Sequence, residues 1–341
     1  MIILAIESSC DETAVAILRG QAHEPAEILA SEISSQIPLH QPYGGVVPEL
    51  ASRNHSLILQ PLIETTLQQA GLRVQDIDAF AATAGPGLAS SLLIGNTAAK
   101  AMACALGKPY LAINHLEGHL LSPFVTATEV PPHISLIISG GHTLLLQVEA
   151  PGRYRRLGST LDDAAGEAFD KVAKMLGLPY PGGPPIEAQA KLGNPKAYAF
   201  PRGLMHEAHD DFSFSGLKTS VLYTLPKVDV LATAIPDLCA SFQQAVIDVL
   251  VHKTMRALRR TGLRHLALSG GVSLNRTLRE AFQKACTTQG VTLHLSDPGL
   301  CTDNAAMIGF AGLLRLLDGQ SDSLETPIDP NLALVSSAAS C

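Results

Sequence analysis

The pair of residues best suited to chemistry lies in His115-Leu116-Glu117-Gly118-His119. Positions i and i+4 lie about 40° apart around a helix, so imidazoles at that spacing can face one cation. A zinc protease needs its general base directly after the first histidine, where this chain has Leu116. Glu117 falls about 200° from His115 and cannot serve the same water. Two surface histidines at a helix end are the plain alternative. Asp303, in Cys301-Thr302-Asp303-Asn304, either caps the helix that follows or completes a two-His, one-carboxylate metal site.

A second chemistry is written in glycines. Ser139-Gly140-Gly141 and Ser269-Gly270-Gly271 each end an apolar run, Ile137-Ile138 in one case and Ala267-Leu268 in the other. Without Cβ atoms, backbone N–H groups there can close around phosphate or carboxylate oxygens. The first copy continues as a hairpin turn into His142-Thr143. The second runs into a helix near Asn275, whose amide offers a donor and an acceptor to a ribose or base. An ordinary Gly-Gly turn explains either copy alone; two at strand ends point to a nucleotide. In the segment 162–171, Asp163 suits a helix N-cap, and Asp170 either meets ribose hydroxyls or pairs with Lys174.

These residues need elements to position them, and the hydrophobic pattern supplies the same order twice. Strands are predicted over residues 2–7, 13–18 and 28–34, a helix over 48–70, a strand over 77–83, a helix from 88 and a strand over 110–113. The second copy has strands over 134–139, 143–149 and 154–159 and a helix from about 163. It resumes with strand 266–269, helix 274–284, strand 291–295 and helix 303–317. A helical insertion spans about 177–262. The expected fold is α/β, built from duplicated β-β-β-α-β-α-β-α units. The first lobe is expected over 1–130 and the second over 131–320, its last helix, 303–317, packing on the first lobe. A poorly ordered tail is expected over 321–341.

Composition narrows the field. The chain has 341 residues, 16% charged, with 24 Lys+Arg against 31 Asp+Glu. A net charge of −7 disfavours a general nucleic-acid coat or a polybasic membrane binder. Aromatics make up 4% and Trp is absent, which disfavours base-stacking platforms. The six cysteines form no Cys-x-x-Cys pair, so neither a zinc knuckle nor a disulfide framework is expected. The apolar stretch 88–106 is broken by Gly95, Asn96 and Lys100. A soluble, cytoplasmic protein with no membrane partner is the expectation.

Taken together, the motifs resemble the TsaD family of tRNA N6-adenosine threonylcarbamoyltransferases, once described as O-sialoglycoprotein endopeptidases. The resemblance rests on the motifs above together with Ile6-Glu7-Ser8-Ser9-Cys10-Asp11-Glu12-Thr13, Tyr43-Gly44-Gly45-Val46-Val47-Pro48-Glu49, Thr83-Ala84-Gly85-Pro86-Gly87-Leu88 and Phe212-Ser213-Phe214-Ser215-Gly216-Leu217-Lys218-Thr219. It implies the two-lobed fold of actin, sugar kinases and heat-shock ATPases, with duplicated RNase H-like units. It further implies that His115, His119 and Asp303 bind divalent iron or zinc, and that Ile137, Ile138, Ser139, Gly140, Gly141, Asp170, Gly183 and Asn275 hold threonylcarbamoyl-AMP. Some relatives carry Asp where this chain has Glu187, a further candidate ribose contact. The implied reaction moves the threonylcarbamoyl group to N6 of adenosine 37 of tRNA, with the metal as Lewis acid.

Asp11 and Glu12 are the candidates for general base, with solvated turn acids as the plain alternative. The implied partners are tRNA, a paralogous TsaB-like subunit and a TsaE-like small ATPase. Local basic groups stand at Arg153, Arg155 and Arg156 and at Lys253, Arg256, Arg259 and Arg260. A metalloprotease, a small-molecule kinase and a non-catalytic scaffold are the rival readings.

Overall fold

Each apolar run that stops at a polar turn becomes a strand, and the two sets of strands assemble in the same order. The computed structural model describes residues 1–228 and 230–335. In the first set, β1 (Ile2–Glu7) pairs antiparallel with β2 (Glu12–Arg19), and β2 with β3 (Glu27–Ser35). After the short helix α1 (Ile37–His40) and α2 (Pro48–Ala70), β4 (Ala79–Gly85) joins β1 in parallel. Helix α3 (Ala89–Leu106) then leads to β5 (Tyr110–Asn114), parallel to β4. The sheet order is β3-β2-β1-β4-β5. Pro48 occupies the first turn of α2, where its missing N–H leaves no bond unmade.

The second set repeats the plan. β6 (His133–Ile138), β7 (Thr143–Ala150) and β8 (Arg153–Ser159) form the antiparallel meander. β9 (His265–Ser269) and β10 (Thr292–Leu295) extend it in parallel, giving the order β10-β9-β6-β7-β8. Both sheets thus place the first strand of the hairpin at the centre, beside the first parallel strand. That arrangement puts the turns after β1 and β6 at the carboxyl ends of parallel strands, where open α/β sheets present ligand sites.

The chain divides into two compact units, Met1–Val130 with Ser296–Cys341, and Pro131–Leu295. Residues 296–320, expected in the second lobe with helix 303–317 packing on the first, group with the first unit. The reason is α10 (Ala305–Leu317), ten of whose residues are buried, with Gly309 lying against Leu18 and Ala5 and Gly312 against Ile3 and Ala81. The first core gathers Leu4, Ile6, Val15, Ile17, Phe80 and Tyr110. The second gathers Ile134, Leu136, Phe169, Phe242, Leu266 and Phe282 around α5 (Ala165–Met175), α6 (Gly183–Ala190), α7 (Ser215–Thr224), α8 (Leu231–Thr261) and α9 (Arg276–Gln289). Helix α8 is long and apolar enough to cross a membrane, but most of its apolar stretch is buried inside the second unit.

Two expectations change here. The tail from Ser321 is not loose over the described residues. Asp322 pairs with Arg315 at 3.0 Å, its N–H donates to Tyr110 O, and the Asp329 N–H donates to Ala84 O at 2.8 Å. Residues 336–341 lie outside the described residues. Asp163, expected as a helix N-cap, instead pairs with Lys171 at 2.7 Å and Lys218 at 2.8 Å, and the cap position of α5 falls to Ala164.

Candidate metal centre and nucleotide cradle

Helix α4 (His115–Leu121) follows β5 directly, its start fixed by the Asn114 side chain, which accepts from the Leu116 N–H. The surface-histidine reading fails, because His115 is 6% and His119 0% exposed. Burial comes from α10, which packs closely on α4 at Gly118. A Cβ there would stand 2.9 Å from Ile308 Cδ1 and 3.0 Å from Met307 Cγ. The same close approach brings in the carboxylate just ahead of α10. Asn304 takes the capping role for that helix, accepting from the Met307 N–H at 2.9 Å, and so leaves Asp303 to face the imidazoles. Asp303 Oδ1 lies 3.1 Å from His119 Nε2 and 3.5 Å from His115 Nε2.

The ligand atoms of His115, His119 and Asp303 all lie within 4.8 Å of one another. Two imidazole nitrogens and one carboxylate oxygen converging at that spacing fit a divalent metal ion. On its far side, His115 Nδ1 lies 3.0 Å from Glu7 Oε2 and 3.3 Å from Ser9 Oγ. Burial pushes the His115 imidazolium down in pKa, but Asp303 and Glu7 outweigh it and hold the value up at about 9. For Glu7, burial pushes the carboxyl up, and the charge and hydrogen bond of His115 more than reverse that.

Asp11 and Glu12 stand at the β1–β2 turn. Asp11 is buried, and Glu12 Oε1 accepts from Ser35 Oγ at 3.1 Å. Burial first, then the negative charges of Asp11 and Asp303, push the Glu12 carboxyl up to about 9. Neither acid is a solvated turn residue.

In the second unit, the expected nucleotide residues cluster around the carboxyl ends of β6 and β9. Ile137 and Ile138 are buried strand residues, and Ser139-Gly140-Gly141 forms the turn, closed by the Ser139 N–H donating to His142 O at 2.9 Å. Gly140 and Gly141 have nothing within 4 Å of where a Cβ would sit, so the turn opens onto free space. The second Ser-Gly-Gly is different. Gly270 has φ +85, and a Cβ there would stand 2.4 Å from Ile138 O, so this glycine serves strand packing. Asp170 accepts from the Gly182 N–H at 2.7 Å, tying α5 to the turn before Gly183 at the start of α6.

Asn275 and Glu187 already have protein partners. Asn275 Oδ1 accepts from the Leu278 N–H at 2.9 Å as the cap of α9, and its amide donates to Gln243 Oε1 at 2.6 Å. Glu187 Oε1 accepts from the Arg276 N–H at 3.0 Å. Part of the basic run on α8 is engaged within the second unit, while Arg259 and Arg260 are exposed. Arg256 and Arg260 grip the buried Asp210, and Lys253 donates to His209 O at 2.9 Å. Arg153, Arg155 and Arg156 lie exposed on β8.

The profile of the TsaD family, tRNA N6-adenosine threonylcarbamoyltransferase, matches residues 27–310. The chain belongs to the TsaD family. Among curated members, the tRNA N6-adenosine threonylcarbamoyltransferase of Variovorax paradoxus (strain S110) is 50% identical over 327 residues, 95% of this chain and 93% of that one. The protein of the same name from Geotalea uraniireducens (strain Rf4) is 52% identical over 314 residues, 92% and 90% of the two chains. This TsaD-family chain is therefore a transferase. In structure it is similar to T. kodakarensis HypF, with TM-score 0.64 and 16% identity over 93% of this chain and 48% of that one. At that identity the likeness concerns the fold, the two-lobed α/β fold of actin, sugar kinases and heat-shock ATPases. Within the TsaD-family motif Ile6–Thr13, sequence reasoning assigned no role to Glu7. The available signal was a lone carboxylate closing the apolar run 2–6, where it cannot stay solvated.

Proposed function

We propose that this chain transfers the threonylcarbamoyl group of threonylcarbamoyl-AMP to N6 of adenosine 37 in tRNA, forming t6A in tRNAs that read codons beginning with A. The observation that carries the reading is the convergence of His115, His119 and Asp303 on one point in a member of this family. Those three residues would hold divalent iron or zinc, which supplies Lewis-acid polarisation to the threonylcarbamoyl oxygens when bound. In the second unit, the open Ser139-Gly140-Gly141 turn would take the adenylate phosphate on its backbone N–H groups. Asp170, Gly183, Asn275 and Glu187 are the candidate adenosine contacts.

The exocyclic amine is a weak nucleophile, so orientation matters as much as activation. The N6 nitrogen forms its bond to the carbamoyl carbon while the bond from that carbon to the phosphate oxygen breaks, and AMP leaves. The amine proton must go to a base. Asp11 and Glu12, side by side at the β1–β2 turn, are the candidates for it. Partner subunits, TsaB-like and TsaE-like, supply much of the tRNA surface; the net charge of −7 and the pairing of Arg256 and Arg260 with Asp210 support that reading. The setting is cytoplasmic.

The test is transfer of label from threonyl-labelled threonylcarbamoyl-AMP into unmodified tRNA, with the partner proteins present. Label is expected in tRNA with the wild type and not with His115→Ala. Equal labelling by both would remove the metal from the reading, and no labelling by either would remove the transferase.

A further inference from the structure

We propose that Glu7 is the positioning residue of the metal centre, its carboxylate holding the Nδ1–H of His115 so that the Nε2 lone pair faces His119 and Asp303. The inference rests on the metal reading above and goes beyond it, since Glu7 is no ligand itself. Glu7 is fully buried at the end of β1, and its Oε2 lies 3.0 Å from His115 Nδ1. It is held from two further directions. Thr83 Oγ1 on β4 donates to Oε2 at 2.5 Å, and the Ser9 N–H donates to Oε1 at 2.5 Å. Among the described residues, the one ion pair Glu7 makes is with His115.

A carboxylate can only accept, so all three neighbours must donate to it. That fixes the proton of a neutral His115 on Nδ1 and frees Nε2, which lies 3.5 Å from Asp303 Oδ1, on the metal side. Carboxylate–histidine pairs of this kind set both ring orientation and ligand basicity in metal centres, and their loss costs about 10- to 100-fold in metal affinity. The buried site also explains why a charged group is tolerated here: every oxygen has a donor, and the partner across the bond is the ligand itself.

The informative variant is Glu7→Gln. An amide keeps the shape but must place its NH2 either against the Ser9 N–H, donor against donor, or against His115 Nδ1. The second choice turns Nδ1 into an acceptor and moves the proton to Nε2, the nitrogen that should bind metal. The full chain, stripped with a chelator, is titrated with Co2+ and followed by its visible absorption, with His115→Ala as reference and circular dichroism as a check of folding. A folded Glu7→Gln protein that binds Co2+ about 10- to 100-fold more weakly than wild type, with a changed band shape, is the expected result. A folded variant within twofold of wild type would overturn the proposal.

Should Glu7→Gln fail to fold, long-range 1H–15N spectra of the Zn2+-loaded wild type decide the matter. A proton on His115 Nδ1 supports the role of Glu7, and a proton on Nε2 refutes it. Absence of Co2+ binding by the wild type would overturn the metal reading itself and this inference with it.

Discussion

Alanine at Gly140 separates a turn that merely joins two strands from one that holds a ligand. No atom lies within 4 Å of the added methyl, and the residue is not among those with positive φ. Folding stability should therefore hold or rise slightly, by up to about 1 kcal/mol, because the unfolded chain loses freedom. Binding should move the other way. If the backbone N–H groups of the turn hold the adenylate phosphate, the methyl occupies space meant for it. One charge-assisted hydrogen bond is then lost, worth about 1.5–3 kcal/mol, or about 10- to 150-fold in affinity. Gly270→Ala is the counterpart. Its backbone, at φ +85 and ψ 157, lies in a region nearly closed to other residues, at a cost of about 1–3 kcal/mol. The methyl, 2.4 Å from Ile138 O, adds to that. Urea denaturation and AMP calorimetry on both variants provide the two axes. Unchanged AMP affinity in Gly140→Ala would refute the cradle, and an undiminished stability in Gly270→Ala would refute the close approach.

Three further outcomes follow from other contacts. If the proposed centre holds metal, His119→Ala should lower Co2+ affinity at least 100-fold in equilibrium dialysis, because a fully buried candidate ligand nitrogen is lost. Asp210→Asn should cost about 2 kcal/mol in urea denaturation, since a buried carboxylate shared by Arg256 and Arg260 becomes a neutral amide. Burial raises the Asp163 carboxyl, but Lys171 and Lys218 pull it further down, below its ordinary value. A depressed folded pKa stabilises above the unfolded pKa of about 4 and ceases to do so as pH falls through the folded value. Asp163→Asn should thus melt earlier than wild type at pH 7, by about 1 kcal/mol, with the difference closing below about pH 4.

The duplicated element order was legible because each copy alternates buried strands with amphipathic helices, and both sheets adopt one strand order. The helix from 48 to about 70 was legible from its start, since Pro48 suits a first turn. The histidine spacing was legible as geometry, but their burial was not. It depends on Gly118 admitting a helix that begins 187 residues later in the chain, at Ala305. Asp303 was ambiguous for a local reason, because either acid or amide in Asp303-Asn304 can cap a helix; Asn304 takes that task. Asn275 shows the converse. Its type suits a nucleotide, yet its side chain caps α9 and meets Gln243 on α8, a contact no local pattern announces. Glu7 was read only as part of a motif, since its importance lies in partners at Ser9, Thr83 and His115, spread over three elements.

The second unit is one uninterrupted stretch of chain, whereas the first is split around it, and this has a consequence during synthesis. A ribosome delivers β1 to β5 and both histidines early, but Asp303 emerges 184 residues after His119. Until then the sheet of the first unit lacks the helix that covers it, and the imidazoles lack their carboxylate. The second unit can close while the first is still waiting, so the His115–His119–Asp303 cluster matures after it. A nascent chain halted at Cys301 should accordingly hold cobalt no better than full-length Asp303→Ala.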